Sequence, residues 1–202
     1  MEEKRVRLVF TEMVLGTASG NPELHREYIA SKSPTATTIE EEVRALGLDA
    51  VEKKEMTVFP RDEDEQPFLY DYQIKGFMKN ACKAMREVPD SHSSKLKAYK
   101  TKIDNLVFVD ERRILFRNPE GGVVEVGSLQ RPLRAQTAQG ERIALANSES
   151  VPAGTEIEFT VKCLDPKLMP LVEEWLDYGE LNGIGQWHNS GMGRFVWYDL
   201  SE

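Results

Sequence analysis

Gly183-Ile-Gly-Gln-Trp-His-Asn-Ser-Gly-Met-Gly-Arg-Phe-Val-Trp-Tyr198 is the stretch on which the reading of this chain turns. Glycines at 183, 185, 191 and 193 bracket a polar centre, Trp187 to Ser190, and Arg194 to Tyr198 has the bulky alternation of a strand. Glycine reaches positive φ and lets a second backbone or a ligand come close, at an entropic cost that a plain loop need not bear. The pattern describes a loop that lies against something, or two tight turns that join a helix to a strand. In the final strand, Phe195 and Trp197 share one face while Val196 and Tyr198 share the other.

Working outward, Asp165-Pro166 opens a helical segment that runs through Tyr178. Before it, Thr155 to Leu164 alternates cleanly through Ile157, Phe159, Val161 and Cys163, the mark of a sheet with one buried face. Ile74 to Val88 carries Ile74, Phe77, Met78, Ala81 and Met85 at helical spacing, with Lys75, Lys79, Lys83 and Arg86 on the exposed side. Arg5 to Leu15 is β-rich and reads as a central first strand. A long polar connection from Gly16 to Pro34 follows, then a helix over Thr38 to Leu46 that Gly47 stops, and a short strand over Glu55 to Phe59. Arg61 to Gln66 is an acidic solvated loop, and Ser91 to Ser94 is a loop after Pro89. Leu106 to Val109 and Ile114 to Phe116 read as a strand pair. Gly121 to Leu129 and Ile143 to Leu145 read as a hairpin with Arg131 to Gly140 at its polar tip, so that 118–155 forms a β-hairpin insertion within one domain. Strand, helix, strands, helix and final strand predict an α+β, ferredoxin-like core carrying β-hairpin insertions.

The formal charge of −8 argues against bulk attraction to nucleic acid, but it is unevenly distributed. Residues 1–71 sum to −7, residues 72–142 to +6 and residues 143–202 to −7. A basic band between acidic ends fits a phosphate-binding face and fits packing against copies of the same chain equally well. Cys82 and Cys163 are too few for a disulfide framework or a cysteine metal site, and read as buried thiols of a reducing compartment. No apolar run approaches the roughly 20 residues of a membrane span, and the first residues lead straight into a strand. A cytoplasmic protein is expected.

Two distant stretches carry a family resemblance. Phe68-Leu-Tyr-Asp-Tyr-Gln-Ile-Lys-Gly-Phe-Met-Lys-Asn-Ala81 resembles the entry to the first long helix in the RAMP superfamily of CRISPR proteins, particularly the Cas7-like backbone subunits. Gly183-Ile-Gly185 with Gly191-Met-Gly193, between last helix and last strand, resembles that superfamily's glycine-rich loop, and Leu15-Gly16 before a polar loop is a third match. The resemblance implies an RRM-like or ferredoxin-like core, a place in a ribonucleoprotein complex of antiviral defence, single-stranded guide RNA as partner, and contact with copies of itself or other subunits. It places Lys75, Gly76 and Lys79 beside the RNA backbone, with Gly183 to Gly193 shaping the same face. A divergent or mobile-element relative fits the same residues. Target-cleaving members place an aspartate in the first loop, whereas Thr17 to Ser33 contains none and offers only Glu23 and Glu27.

The residue chemistry gives three readings. For RNA binding, Lys75, Lys79, Lys83 and Arg86 can follow a phosphate backbone. Arg131 and Arg134, on a projecting tip with Gln136, Thr137 and Gln139, suit phosphate and base-edge contacts or a neighbouring subunit. One or two of Arg112, Arg113 and Arg117 face the same groove, and exposed members of Tyr70, Tyr72, Trp187, Phe195, Trp197 and Tyr198 would stack bases. For a metal-independent endoribonuclease, His25 and His188 would have to meet, aided by Tyr28 and Lys75. His188 serves equally to pin its own loop, and His92 is a solvated loop residue. The third reading is a self-assembling structural protein without nucleic acid. No HExxH, Walker loop, GxSxG, paired CxxC or dinucleotide fingerprint is present, so no metal or cofactor is expected.

Overall fold

The computed structural model describes residues 1–20, 56–137 and 140–201, with side chains described outside 133–137 and 141–144. The expected helix over Thr38 to Leu46, together with Glu23, His25, Glu27 and Tyr28, lies outside these residues.

The core sheet has four strands, β1 (Glu2–Phe10), β6 (Val107–Val109), β10 (Glu156–Cys163) and β11 (Phe195–Asp199), in the order β11-β1-β10-β6. Every pairing is antiparallel, with Val6 opposite Phe159, Leu8 opposite Ile157 and Trp197, and Val161 opposite Val109. Helix α1 (Asp71–Met85) connects β1 to β6, and helix α3 (Met169–Asn182) connects β10 to β11. This is the βαββαβ order and strand arrangement of a ferredoxin-like core, and the chain is α+β. Between α1 and β6 lies a short helix, α2 (Tyr99–Leu106), within a stretch the sequence does not mark as helical.

Alternation explains the packing. Val6, Leu8, Phe10, Ile157, Phe159, Val161 and Cys163 are buried on the helix side of the sheet, where each large side chain contributes roughly 1.5–3 kcal/mol on leaving water. Ile74, Phe77, Met78, Ala81 and Cys82 form the buried stripe of α1. Phe195 ties three elements together, meeting Phe77 of α1 and Phe10 of β1 edge-on at 5.4 and 6.0 Å. Its ring also fills the space above Gly179 of α3, where a Cβ would lie 2.0 Å from the ring. Both cysteines are free and buried, and burial pushes the Cys163 thiol up to about 11.

A second sheet joins β2 (Val14–Leu15), β3 (Ala18–Ser19), β4 (Met56–Val58), β8 (Gly127–Thr137) and β9 (Gly140–Val151). β8 and β9 form one long hairpin whose register runs from Gly127 opposite Ser150 to Thr137 opposite Gly140. Arg131 to Thr137 is therefore strand, not tip. Pro132, which reads as a breaker, is accommodated because, among the described residues, β8 pairs with β9 alone and forms an edge. The two strands expected to pair with each other do not. β6 pairs with β10, and β7 (Arg113–Leu115) pairs with β5 (Phe68–Tyr70) in a separate two-stranded ribbon.

The sheet face away from the helices is charged and internally compensated. Arg5, Arg7 and Arg117 converge on the Glu158 carboxylate at 3.0, 2.7 and 3.2 Å, and Lys162 pairs with Asp110 at 2.8 Å. At the end of the sheet, Lys4 lies 2.6 Å from both Glu173 and Asp199. The hydrogen bond from Lys4, with those from Ser201, holds the Asp199 carboxyl down at about 2.

Two predictions follow from this packing. Gly179→Ala overfills the space beneath Phe195, and despite the better helix propensity of alanine it should lower stability by about 1–3 kcal/mol in urea titrations; unchanged or raised stability would contradict the packing. Asp199 has a folded pKa below its unfolded value, so its contribution is fully present above about pH 4 and is lost as pH falls toward about 2. Asp199→Asn should flatten the stability profile in that window and nowhere else.

Candidate nucleic-acid interface

The segment Met13 to Thr17, just after β1, is where the elements singled out in the sequence come together. The Gly193 N–H donates to the Met13 carbonyl at 2.8 Å, and the Gln186 N–H donates to the Leu15 carbonyl at 3.3 Å. β2 pairs with the end of β9, and the Gly16 N–H donates to the Glu149 carbonyl at 2.9 Å. The Gln73 side chain, in the first turn of α1, donates to the Thr17 hydroxyl while its carbonyl accepts the Tyr70 N–H at 2.7 Å. The start of α1, the base of the hairpin and the glycine loop therefore share one neighbour.

Within the glycine loop the close approach is to the chain's own backbone. A Cβ at Gly193 (φ 68°) would lie 1.9 Å from the Ile184 carbonyl oxygen, and one at Gly183 (φ 76°) would lie 2.4 Å from that of Met192. At Gly185 (φ 94°) it would lie 2.8 Å from the Leu15 carbonyl oxygen. Gly191 (φ 89°) differs, since its would-be Cβ meets only the flexible Arg194 side chain at 3.1 Å. His188 pins the loop, its Nδ1 lying 2.8 Å from the Gly185 carbonyl oxygen. His25, the other histidine of the nuclease reading, lies outside the described residues.

Trp187 is the strained member. It adopts φ 57°, a conformation L side chains rarely hold. Its ring carries the Arg131 guanidinium 4.9 Å from the ring centroid. Arg131 retains 7% exposure, its Nη1 donates to the Ser148 hydroxyl at 3.2 Å, and its Nε has no hydrogen-bond partner. Arg131 is thus a nearly buried cation at the foot of the hairpin, not a long arm on a projecting tip. Among the described residues no carboxylate neutralises it. The side chain of Arg134 lies outside the described residues.

The α1 lysines are partly committed inside the fold. Lys75 Nζ donates to the Asp104 carbonyl at 3.1 Å and lies 4.9 Å from the Phe108 ring centroid, and burial pushes its pKa down. Lys79 pairs with the Asp104 carboxylate. Lys83 is exposed with no such partner among the described residues. Gly76, between Lys75 and the buried Phe77, is exposed in mid-helix, and among the described residues nothing lies within 4 Å of the position its Cβ would take.

The remaining arginines and aromatics serve the fold. Arg112 lies over the stacked rings of Tyr70 and Tyr72 at 4.8 and 5.4 Å and pairs with Asp71. Arg113 lies over Phe68 and Arg117 holds Glu158. Phe195 is buried, the Trp197 Nε1 donates to Asp177 at 2.7 Å, and Tyr198 stands half-exposed on the open sheet face. His92 is exposed, its N–H held by Glu174. Among the described residues no His, Cys, Asp and Glu cluster is placed to hold a metal ion, and no helix is long and apolar enough to cross a membrane.

No protein-family model and no curated protein matches the chain. Solved structures do match at low identity. A chain of a Type IV-B CRISPR complex is 9% identical with a TM-score of 0.51, over 99% of this chain and 91% of that one. A chain of the Type III-B Cmr-beta complex bound to cognate target RNA is 8% identical with a TM-score of 0.46, over 99% of this chain and 60% of that one. Cmr6 from Pyrococcus furiosus is 9% identical with a TM-score of 0.48, over 98% of this chain and 97% of that one. Likeness at such identity is a likeness of fold, and the first of these carries it.

The two kinds of glycine in the loop can be told apart by substitution. Gly193→Ala sets a side chain against fixed backbone and should cost more than about 2 kcal/mol, while Gly191→Ala, which meets only Arg194, should cost about 1 kcal/mol of backbone strain. Denaturant midpoints read both, and equal costs would contradict the backbone-clamp description.

Proposed function

We propose that this chain is a noncatalytic RNA-binding subunit of a CRISPR-like ribonucleoprotein complex, a RAMP-like protein of the cytoplasm that meets single-stranded RNA and neighbouring subunits. The observation that carries this reading is Gly76. An exposed glycine in the middle of a helix costs about 1 kcal/mol relative to alanine. Among the described residues no atom occupies the space its missing side chain leaves. What uses that space is the backbone of a ligand, which approaches α1 where Lys75 and Lys79 flank the gap. The fold shared with a chain of a Type IV-B CRISPR complex supports the same reading.

In this arrangement a phosphate at Gly76 competes with Asp104 for Lys79. Arg131, Trp187 and His188 contribute from the hairpin base and the glycine loop, with Arg134 further along β8. Gly183, Gly185 and Gly193 act indirectly, by allowing the loop to seat on Met13 and Leu15 so that Trp187 is presented. The hairpin of 118–155 acts as an insertion in a single domain. Lys75 loses proton affinity by burial, and a phosphate alongside would restore it.

The test is retention of a labelled single-stranded RNA at two salt concentrations, with duplex DNA as control and a denaturing gel of the RNA afterwards. Salt-weakened retention of intact RNA is expected. Gly76→Ala should raise stability by about 0.5–1 kcal/mol while weakening RNA binding, a combination a purely structural glycine would not give. Absence of salt-sensitive retention would overturn the reading, and RNA fragments abolished by His188→Ala would replace it with the nuclease.

A further inference from the structure

Six cations on the far end of the helical layer are absorbed neither by the fold nor by the site described above. Lys83 and Arg86 close α1, Lys95 and Lys97 follow in the turn, and Lys100 and Lys102 stand in the first turn of α2. All six are exposed. Arg86 packs its guanidinium 5.2 Å from the centroid of the Tyr99 ring, which brings the end of α1 against the start of α2. Among the described residues none of the six has a carboxylate partner.

That is unusual in this molecule. The chain carries 34 carboxylates against 26 lysines and arginines, and elsewhere it uses them. Lys4, Arg5, Arg7, Arg117 and Lys162 each hold one on or beside the sheet. Residues 72–106 instead set eight cations against three carboxylates, Glu87, Asp90 and Asp104, of which Asp104 is held by Lys79. Lys100 and Lys102 also face the positive end of the α2 dipole, with no acidic residue in that turn. Lys83 and Arg86 sit at the C-terminal end of α1, which favours cations. Lys95, Lys97, Lys100 and Lys102 have neither that nor a carboxylate partner among the described residues, and such cations are suited to an external anion.

We propose that this α1–α2 platform binds the sugar-phosphate backbone of an RNA strand continuing beyond Gly76, as a second, sequence-independent contact surface. The ligand class rests on the RNA-binding reading; the surface does not. Two features favour a polyanion over an acidic protein. Protein interfaces are centred on desolvated apolar or aromatic anchors, and here the large apolar side chain left exposed is Val88, with Tyr99 covered by Arg86. Five of the six cations are lysines, mobile point charges that follow a phosphate backbone without the fixed fork of arginine.

The experiment compares a hexanucleotide, long enough for the Gly76 site alone, with a 30-nucleotide oligouridylate on the full chain. Lys97→Ala/Lys100→Ala/Lys102→Ala should leave hexamer binding unchanged and lower the salt slope for the 30-mer by about 2, since each phosphate contact on a single strand contributes about 0.7. Arg5→Ala/Arg117→Ala/Lys162→Ala removes the same charge from the open sheet face and should leave the slope of the 30-mer largely intact. Denaturant titration of the platform variant should give a stability within about 0.5 kcal/mol of the parent. An unchanged slope for the platform variant, or equal losses in both triples, overturns the platform while leaving the Gly76 reading standing. Failure of the parent to bind either RNA overturns the Gly76 reading and the platform's ligand together. Sedimentation without RNA gives the other outcome: self-association of the parent abolished by the platform variant would make a second copy the occupant and overturn the proposal.

Discussion

The seating of the glycine loop on Met13 and Leu15 is the constraint from which the arrangement of the candidate site follows. The loop closes on itself so tightly that a Cβ at Gly193 would lie 1.9 Å from the Ile184 oxygen, and it sits so close to its seat that a Cβ at Gly185 would lie 2.8 Å from the Leu15 oxygen. Because the loop joins α3 to β11, its position also sets where Phe195 enters the sheet, and Phe195 in turn spaces α1, β1 and α3. The same seating holds Trp187 in a left-handed conformation over Arg131. Strain at Trp187 and the unmet donor on Arg131 are tolerated together at one place, where a rigid loop meets the foot of a long hairpin. Costs of this kind gather at ligand-facing positions.

Charge is handled differently on the two sides of the molecule. Each cation on the open sheet is matched to a carboxylate, which makes that surface solvated and self-satisfied. An RNA strand would have to break those pairs, so the face with RRM-like geometry is poorly suited to phosphate. Along α1 and α2 the arrangement reverses, with eight cations against three carboxylates in residues 72–106, and six of those cations without a carboxylate partner among the described residues. The net −8 of the chain therefore conceals a local excess of positive charge, and screened electrostatics makes the local excess the relevant quantity within about 10 Å.

Much of the core was legible because it rests on strict periods. The alternation of Ile157 to Cys163 and the helical stripe of Ile74, Phe77, Met78 and Ala81 assign buried faces directly. Asp165-Pro166 marks the entry to α3, although a 3₁₀ turn over Pro166–Leu168 precedes the helix. The pairing of β6 with β10 was not legible, since nothing local distinguishes it from a hairpin with β7. α2 escaped because it has one buried residue, Ile103, and starts at Ala98 in a left-handed conformation (φ 51°) with no capping side chain. The glycine loop was legible as a place of close approach but not as to what approaches; the partner lies some 170 residues away in sequence, in Met13 and Leu15. Arg131 was misplaced because Pro132 reads as a turn, whereas an edge strand accepts it.

Photocrosslinking tests the account most directly. A 4-thiouridine-substituted RNA would be irradiated on the full chain, and the attached peptides identified by mass spectrometry. Attachments within the α1 peptide spanning Gly76, the peptide spanning Tyr99 and the loop peptide carrying Trp187 are the predicted result. Attachment concentrated at Tyr198 on the open sheet, with none on α1 or α2, would contradict it.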